Sequence, residues 1–293
     1  MVAAAGVAPN GEPAGEGRIA PVSFLREVLC LQTYVRCSDP PHFDALAFHP
    51  LSVGDPDRPA ASSLDVSISD AAKITGLLRQ AERRHTALPA GRKPVWVTEL
   101  NWESAPPAPG GVPGRLQAQW ISRALHRLWV AGVGLVDWQF LIDPYPAERA
   151  STPTGGTVEY QRPAGLYSAG AGGDPASARP KPFLGGFTFP FDPLRVDPRH
   201  VRVWALLMHP GQPALLQRWT SRRTWRTIDR MHAGRHGVLN DLVVLTSSAR
   251  LRLQSETLTS ASVQITSRRS LPAGPRRSPR PPVYGSSRAR PVR

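Results

Sequence analysis

The chain has 293 residues, 41% of them hydrophobic, which is enough for a substantial core in one large domain or two smaller ones. No apolar run approaches the length of a membrane-spanning helix, so the sequence predicts no membrane span. The net charge of +14 is placed unevenly. Residues 1–199 carry 16 Arg and 3 Lys against 19 acidic residues, whereas residues 200–293 carry 17 Arg against three acids. The last third could attract a polyanion, but bulk charge specifies neither a fold nor a particular ligand.

Strands and helices alternate through the first 140 residues. Apolar runs predict strands at Val2–Ala8, Phe43–Phe48, Val95–Thr98 and Val133–Phe140. Helical spacing predicts helices at residues 21–32, from a Ser69 N-cap to about His85, and from Leu116 to Leu128 with Gly132 closing the last one. The strand at Val133–Phe140 is apolar almost throughout, which is typical of a strand buried on both faces. The alternation favours βα units built on a parallel sheet.

The pattern changes near residue 200, where short strands separated by turn residues are predicted. They lie at Val201–Leu207, Ala214–Trp219, Thr224–Met231, Leu239–Thr246, Leu251–Gln254 and Ser262–Thr266. This spacing indicates a small all-β module. Residues 270–293 are rich in Arg and Pro and contain no acidic residue, so we expect them to be disordered.

The two cysteines, Cys30 and Cys37, leave two alternatives open. A disulfide closing a short loop would imply an oxidising compartment, and two unpaired core thiols fit the sequence nearly as well. No Cys-x-x-Cys pair is present, which argues against zinc and thioredoxin-type chemistry. The sequence therefore predicts neither a metal nor a cofactor.

The carboxylate of Glu99 comes at the end of an apolar strand, after Val95, Trp96 and Val97. A carboxylate beside such a strand is costly unless it is paired, hydrogen-bonded or used. At the C-terminal end of a parallel barrel strand, a single acid of this kind is typical of a catalytic residue.

Three motifs then occur in a recognisable order: Phe-Asp-Ala-Leu-Ala-Phe-His-Pro at 43–50, Val-Trp-Val-Thr-Glu-Leu at 95–100 and Val-Asp-Trp-Gln-Phe at 136–140. They are followed by Gly-Leu-Tyr at 165–167 and Lys-Pro-Phe at 181–183. Together they resemble strands six, seven and eight, and the segment after strand eight, of the clan-A retaining glycoside hydrolases. The resemblance covers roughly residues 1–190.

The resemblance implies an α/β fold in which residues 1–192 form the C-terminal half, strands five to eight, of a (β/α)8 TIM barrel. Residues 193–269 resemble, more weakly, the small β-sandwich-like domain that often follows such barrels. Residues 270–293 would be the disordered basic tail.

The same resemblance implies roles for individual residues. Glu99 matches the nucleophile at the end of strand seven, His49 matches the polar residue near the reacting sugar, and Trp138 matches the aromatic platform at the end of strand eight. Asn101 and Trp102 are candidate substrate-binding residues. The implied substrate is an oligosaccharide, polysaccharide or glycoside, hydrolysed by double displacement with one carboxylate as nucleophile and a second as acid/base.

Each assignment has a structural alternative. Glu99 could pair with one of the many arginines, His49 could cap a turn, and Trp138 could belong to the core of an apolar strand. Loop packing would explain Asn101 and Trp102 equally well. For Glu99, the agreement of the flanking motifs favours the nucleophile.

The chain departs from the family at the acid/base, which is a Glu after an Asn at the end of strand four. No such pair follows a strand here. Glu12, in Asn10-Gly11-Glu12, is only superficially similar, because an extra glycine separates the two residues and the segment follows what resembles strand five. Asp143 fits a turn before Pro144 better than a substrate contact. We therefore expect a hydrolase fragment with little or no activity alone.

A competing hypothesis is a non-catalytic glycan-binding or basic interaction protein on a decayed barrel. Arg222, Arg223, Trp225 and Arg226 combine charge with an aromatic ring that could bind a glycan, although a solvated edge around a buried Trp explains them more simply. No nucleic-acid reader motif accompanies the charge, so no specific nucleic-acid binding is predicted. A glycan substrate and the cysteine pair favour an extracellular or cell-surface location, although the chain shows no signal peptide.

Overall fold

A computed structural model describes residues 1–11, 17–32, 37–51, 54–108, 110–144, 149–151, 157–159 and 163–267. Glu12 and the tail at 270–293 lie outside these ranges. The described residues form a mixed α/β structure with two hydrophobic cores. One core is built mainly from residues 22–183 and the other from residues 189–265. The domain boundary after residue 192 stays a prediction.

The elements of the first part are, in chain order, β1 (Ala3–Val7), α1 (Pro21–Val28), β2 (Ala45–Phe48), α2 (Ala71–Arg84), β3 (Val95–Leu100), β4 (Ser104–Ala105), β5 (Val112–Pro113), α3 (Gly114–Val130), β6 (Val133–Trp138), β7 (Arg149–Ser151), β8 (Thr157–Glu159), β9 (Tyr167–Ser168), β10 (Arg179–Pro180) and α4 (Pro182–Thr188). Short 3₁₀ helices occupy Ile68–Asp70, Ala171–Gly173 and Pro175–Ser177.

One four-stranded parallel sheet, in the order β1-β2-β3-β6, organises this part. A helix lies between each strand and the next, as a parallel pairing requires. Apolar side chains of the strands, such as Leu46 and Val97, are fully buried together with Leu25 of α1, Ile74 of α2 and Ile121 of α3. The predicted parallel sheet of βα units is therefore present.

Two predicted helix boundaries differ from the structure. The helix predicted at 21–32 ends at Val28. Ser69 as the N-cap of the next helix is wrong, because Ser67 begins a 3₁₀ turn that precedes α2 and forms a capping box with Asp70. The carboxylate of Asp70 accepts hydrogen bonds from the backbone N–H of Ala60 at 2.7 Å and from Ser67 Oγ at 2.7 Å.

The capping carboxylate of Asp70 makes the free energy of unfolding depend on pH. Burial alone would raise its pKa, but hydrogen bonds from Ala60, Ser67 and Lys73 outweigh burial and hold the pKa below the ordinary value of 3.8. A carboxyl group whose pKa is lower in the folded state stabilises the fold above its unfolded pKa, and that contribution is lost as the pH falls through the folded pKa. We expect Asp70→Asn to lower the free energy of unfolding more at about pH 6 than at about pH 3, as urea titrations would show. An equal effect at both pH values would contradict this.

The strand β6 is less buried than its sequence predicts. Leu135 is 42% exposed, and Gly134 and Asp137 are also exposed. The prediction of burial on both faces is wrong because β6 is an edge strand of the sheet in the described part of the chain. An apolar groove of about 630 Å³ lies along β6 and is lined in part by Trp129 and Phe187.

The helices α3 and α4 pack closely at Gly186. A Cβ atom at this position would clash with Ile121 Cγ2 and with the backbone of Ala118, whereas Gly185 has open space around it. Because such a clash forces backbone movement, we expect Gly186→Ala to lower the free energy of unfolding by about 1–3 kcal/mol. Gly185→Ala is the matched control, and chemical denaturation should show it close to the parent protein. Equal effects would argue against the close approach.

The second part, as described over residues 189–267, is all-β apart from one 3₁₀ turn at Arg235–Gly237. Its strands are β11 (Phe191–Arg195), β12 (His200–Leu206), β13 (Pro213–Trp219), β14 (Trp225–His232), β15 (Val238–Val244), β16 (Ala249–Ser255), β17 (Leu258–Thr259) and β18 (Val263–Ile265). They form a three-stranded sheet, β11-β12-β15, and a second sheet, β14-β13-β16-β17, with β18 also paired to β16. Side chains from both sheets, including Val203 and Leu253, share the second core.

A buried polar cluster joins the two parts. Asp192 of β11 is 3% exposed and accepts a hydrogen bond from Arg123 Nε at 2.8 Å. Its other oxygen lies 2.6 Å from His126 Nδ1, and the imidazole of His126 stacks on Trp204 with 4.7 Å between ring centroids. The more exposed Asp57 lies 3.0 Å from the other side of the Arg123 guanidinium. Helix α3 is thus fixed to the first strand of the β part.

Cys30 and Cys37 form a disulfide, which settles the alternative that the sequence left open. None of the helices in the described ranges combines the length and the apolar character that crossing a membrane requires.

Candidate functional site

Polar side chains meet where the strands of the parallel sheet end. His49 follows β2, Glu99 lies at the end of β3, and Gln139 follows β6. Because these strands are adjacent and parallel, their C-terminal ends lie at the same edge of the sheet. The resemblance implied separate roles for Glu99 and His49, and the structure places their side chains next to each other. The roles themselves stay predictions.

The carboxylate of Glu99 is held but remains accessible. Its Oε2 atom lies 3.6 Å from His49 Nδ1 and accepts a hydrogen bond of 3.2 Å from Gln139 Nε2. The side chains of Glu99 and His49 are 36% and 19% exposed. The other imidazole nitrogen, His49 Nε2, lies 2.9 Å from Thr98 Oγ1, which fixes the plane of the ring. Glu99 is thus oriented from two sides and open on a third.

Gln139 was not singled out by the sequence, although it belongs to the Val-Asp-Trp-Gln-Phe motif. Its amide nitrogen donates to Glu99, and its amide oxygen accepts a hydrogen bond from Asn101 Nδ2. The signal that could have identified it is its position, since it is the polar residue that directly follows the last parallel strand. Asn101, predicted to bind substrate, therefore reaches Glu99 through Gln139.

The two tryptophans predicted to contact substrate are buried. Trp138 is 6% exposed, donates its indole N–H to Ala164 O at 2.8 Å, and lies 5.0 Å from the ring of Phe183. Trp102 is 4% exposed and packs 6.2 Å from Trp138 and 5.8 Å from Trp120. Both indoles belong to the first hydrophobic core in this structure. Their contact with a sugar stays a prediction.

Asp143 is part of an internal ion pair. Its Oδ1 atom lies 2.5 Å from Lys181 Nζ, which also donates to Ser104 Oγ and to the carbonyl oxygen of Pro163. Burial lowers the pKa of the Lys181 ammonium, and the neighbouring Asp143 carboxylate opposes this shift without cancelling it. Asp143 also accepts the backbone N–H of Gly165 at 2.7 Å. These internal contacts favour a structural role for Asp143 over a substrate contact.

The weak acid/base candidate, Glu12, lies outside the described residues. Within the part of the chain that the structure describes, no group of three or more His, Cys, Asp and Glu side chains is arranged to hold a metal ion. The described site therefore offers one oriented and accessible carboxylate, that of Glu99, with the imidazole of His49 and the carboxamide of Gln139 beside it.

Comparison with protein-family models and with curated proteins finds no match. Among solved structures, a monomeric beta-xylosidase from Caulobacter crescentus CB15 is similar over 80% of this chain and 59% of its own, at 13% sequence identity and a TM-score of 0.29. A GH39 beta-xylosidase from Caulobacter crescentus is similar over 78% of this chain and 54% of its own, at 13% identity and a TM-score of 0.27. The chain thus spans less than two thirds of either enzyme. TM-scores this low do not establish a shared fold, so function must be argued from the chain's own residues.

Proposed function

We propose that residues 1–192 are the C-terminal half of the (β/α)8 barrel of a retaining glycoside hydrolase, with Glu99 as its nucleophile. The observation that carries the proposal is the environment of Glu99. Its carboxylate stands at the C-terminal edge of a parallel sheet, partly exposed, with its Oε2 atom held by Gln139 and lying near His49. Catalytic residues of parallel barrels lie at this edge.

The topology of the parallel sheet supports the barrel hypothesis. Its four parallel strands are separated by helices, as in a (β/α)8 barrel, and are half of the eight strands that such a barrel needs. In the described residues β1 and β6 are the two outer strands of the sheet. The barrel would close through strands supplied by a further polypeptide segment, which would also supply the acid/base.

In the proposed reaction, the Glu99 carboxylate attacks the anomeric carbon, and the bond from that carbon to the leaving oxygen breaks. The acid/base protonates the leaving oxygen, and a water molecule that it activates then hydrolyses the glycosyl-enzyme ester. Gln139 and His49 would hold Glu99 in the attacking orientation. The second N–H of the Gln139 amide would contact a sugar hydroxyl group.

A mechanism-based label tests the nucleophile directly. A 2-deoxy-2-fluoroglycosyl fluoride carries a leaving group that departs without a strong acid, so that formation of the covalent intermediate depends chiefly on the nucleophile. In the protein extended by the segment that completes the barrel, we expect a panel of such reagents with different sugars to include one that adds a single glycosyl group to Glu99, located by peptide mass spectrometry. Labelling of another residue, or of none by the whole panel, would overturn the assignment and favour a non-catalytic glycan-binding protein.

The DNA upstream of Met1 tests the barrel independently of the label. An in-frame segment encoding a strand that ends in Asn-Glu is the expected result. Stop codons in every frame would contradict the proposal that the missing half belongs to the same polypeptide.

We also propose an extracellular or cell-surface location, which the Cys30–Cys37 disulfide supports because such bonds persist in oxidising compartments.

A further inference from the structure

The outer face of the larger β-sheet carries an aromatic and cationic surface that the proposed hydrolase site does not use. Alternate residues of β13 and β16, such as Leu216 and Leu253, are fully buried in the second core. The residues between them therefore point away from that core. We call this outward set the tryptophan–arginine face; it consists of Gln217, Trp219, Trp225, Arg250, Arg252 and Gln254.

The members of the tryptophan–arginine face hold one another in place. The rings of Trp219 and Trp225 meet edge to face with 5.0 Å between centroids. The guanidinium carbon of Arg252 lies 4.3 Å from the centroid of Trp225, and that of Arg250 lies 5.9 Å from it. A guanidinium stacked on an indole is favourable and stays charged. The surface is thus organised before any ligand binds.

Both arginines keep their terminal nitrogens available. Arg252 donates through Nε to Gln217 Oε1 at 2.8 Å, and Arg250 donates through Nε to Ser262 Oγ at 2.8 Å. In the described residues no hydrogen bond engages the Nη atoms of either side chain. Each guanidinium is held in place and can form a bidentate pair with a carboxylate through its two Nη atoms.

The charge around this face complements an anion. Arg230 lies opposite Leu215 on the outward side of the β13–β14 pair. Asp229 lies opposite Leu216, whose side chain belongs to the core, and so occupies the alternate side of its strand. Glu256 lies in the turn between β16 and β17, beyond the end of the face. Positive charge therefore dominates where the indoles are presented.

We propose that the tryptophan–arginine face binds a carboxylated polysaccharide, one whose pyranose rings bear uronic-acid groups. The arginines pair with the carboxylates, the amide of Gln254 exchanges hydrogen bonds with hydroxyl groups, and the partly exposed indole of Trp219 packs against the apolar face of a ring. Nucleic acid fits less well. Arg252 covers Trp225, whose ring also meets that of Trp219, so the face offers no row of open aromatic rings on which successive bases could stack.

Calorimetric titration of the full chain with polygalacturonate tests this proposal, with the fully methyl-esterified polymer as the uncharged probe. We expect Arg252→Gln and Trp225→Ala each to weaken binding of polygalacturonate about tenfold or more, since a charge-assisted contact is worth at least that factor. Arg199→Gln removes the same charge from an exposed turn of the other sheet and should change the affinity less than about twofold. The esterified polymer should bind at least about tenfold more weakly than polygalacturonate.

Three results would overturn the proposal. Equal losses for Arg199→Gln and Arg252→Gln would show that only bulk charge acts. Equal binding of both polymers would remove the role of the carboxylate. Tighter binding of a single-stranded oligonucleotide, lost in the same variants, would assign the face to nucleic acid. Because Arg252 lies on the surface, Arg252→Gln keeps the test decisive even if Trp225→Ala fails to fold. The outcome does not depend on Glu99.

Discussion

Replacing Asp192 with alanine is expected to lower the free energy of unfolding by about 3–5 kcal/mol, the cost of removing one partner of a buried ion pair. The carboxylate is 3% exposed and contacts Arg123 and His126 at 2.8 and 2.6 Å. Its removal leaves the buried imidazole of His126 without this partner and takes one of two carboxylates from Arg123. Since the same contacts fix α3 to β11, the change should loosen both cores together. Guanidinium titration followed by circular dichroism and tryptophan fluorescence measures the effect.

Asp57 provides the matched control for Asp192. It pairs with the same Arg123 at 3.0 Å and with Arg127 at 2.7 Å, but its side chain is 33% exposed. Exposed ion pairs contribute about 0–1 kcal/mol, so Asp57→Ala should leave the unfolding midpoint nearly unchanged. If the two variants lost the same stability, burial would not be the reason that Asp192 matters.

The local pattern of the sequence predicted the framework of both parts. The apolar runs around Leu46 and Val97 and the helical stripe through Ile121 identified elements whose burial follows from their own spacing. The strand β11 was missed because Phe191-Asp192-Pro193-Leu194 contains a proline and an acid within five residues. Both are explained by position: β11 is an edge strand, where proline is tolerated, and Asp192 has partners on α3.

Features that depend on distant residues could not be predicted in this way. The residues of an apolar strand do not show whether other elements cover it, so the exposure of Leu135 on β6 could not be predicted from the sequence. Likewise, the motif around Trp138 indicated its place on a strand end but not that Phe183, 45 residues later, packs near its ring. At the candidate site the sequence identified Glu99 and His49, yet the amide that holds Glu99 was found only in the structure.

The dependence of glycosyl labelling on Gln139 separates a working nucleophile from an incidental carboxylate. In the protein extended by the segment that completes the barrel, Glu99→Gln should abolish labelling by the fluoroglycoside, because an amide oxygen does not form the ester intermediate. Gln139→Ala leaves the carboxylate in place but removes its 3.2 Å hydrogen bond, and we expect about tenfold slower labelling, since misorientation of a reacting group alone reduces rates by such factors. Asp137→Asn, an exposed change on β6 two residues before Gln139, is the control that should label at the parent rate. Mass spectrometry over time gives all three rates. If Gln139→Ala labelled as fast as Asp137→Asn, the hydrogen-bonded arrangement around Glu99 would not be catalytic, whatever residue carried the label.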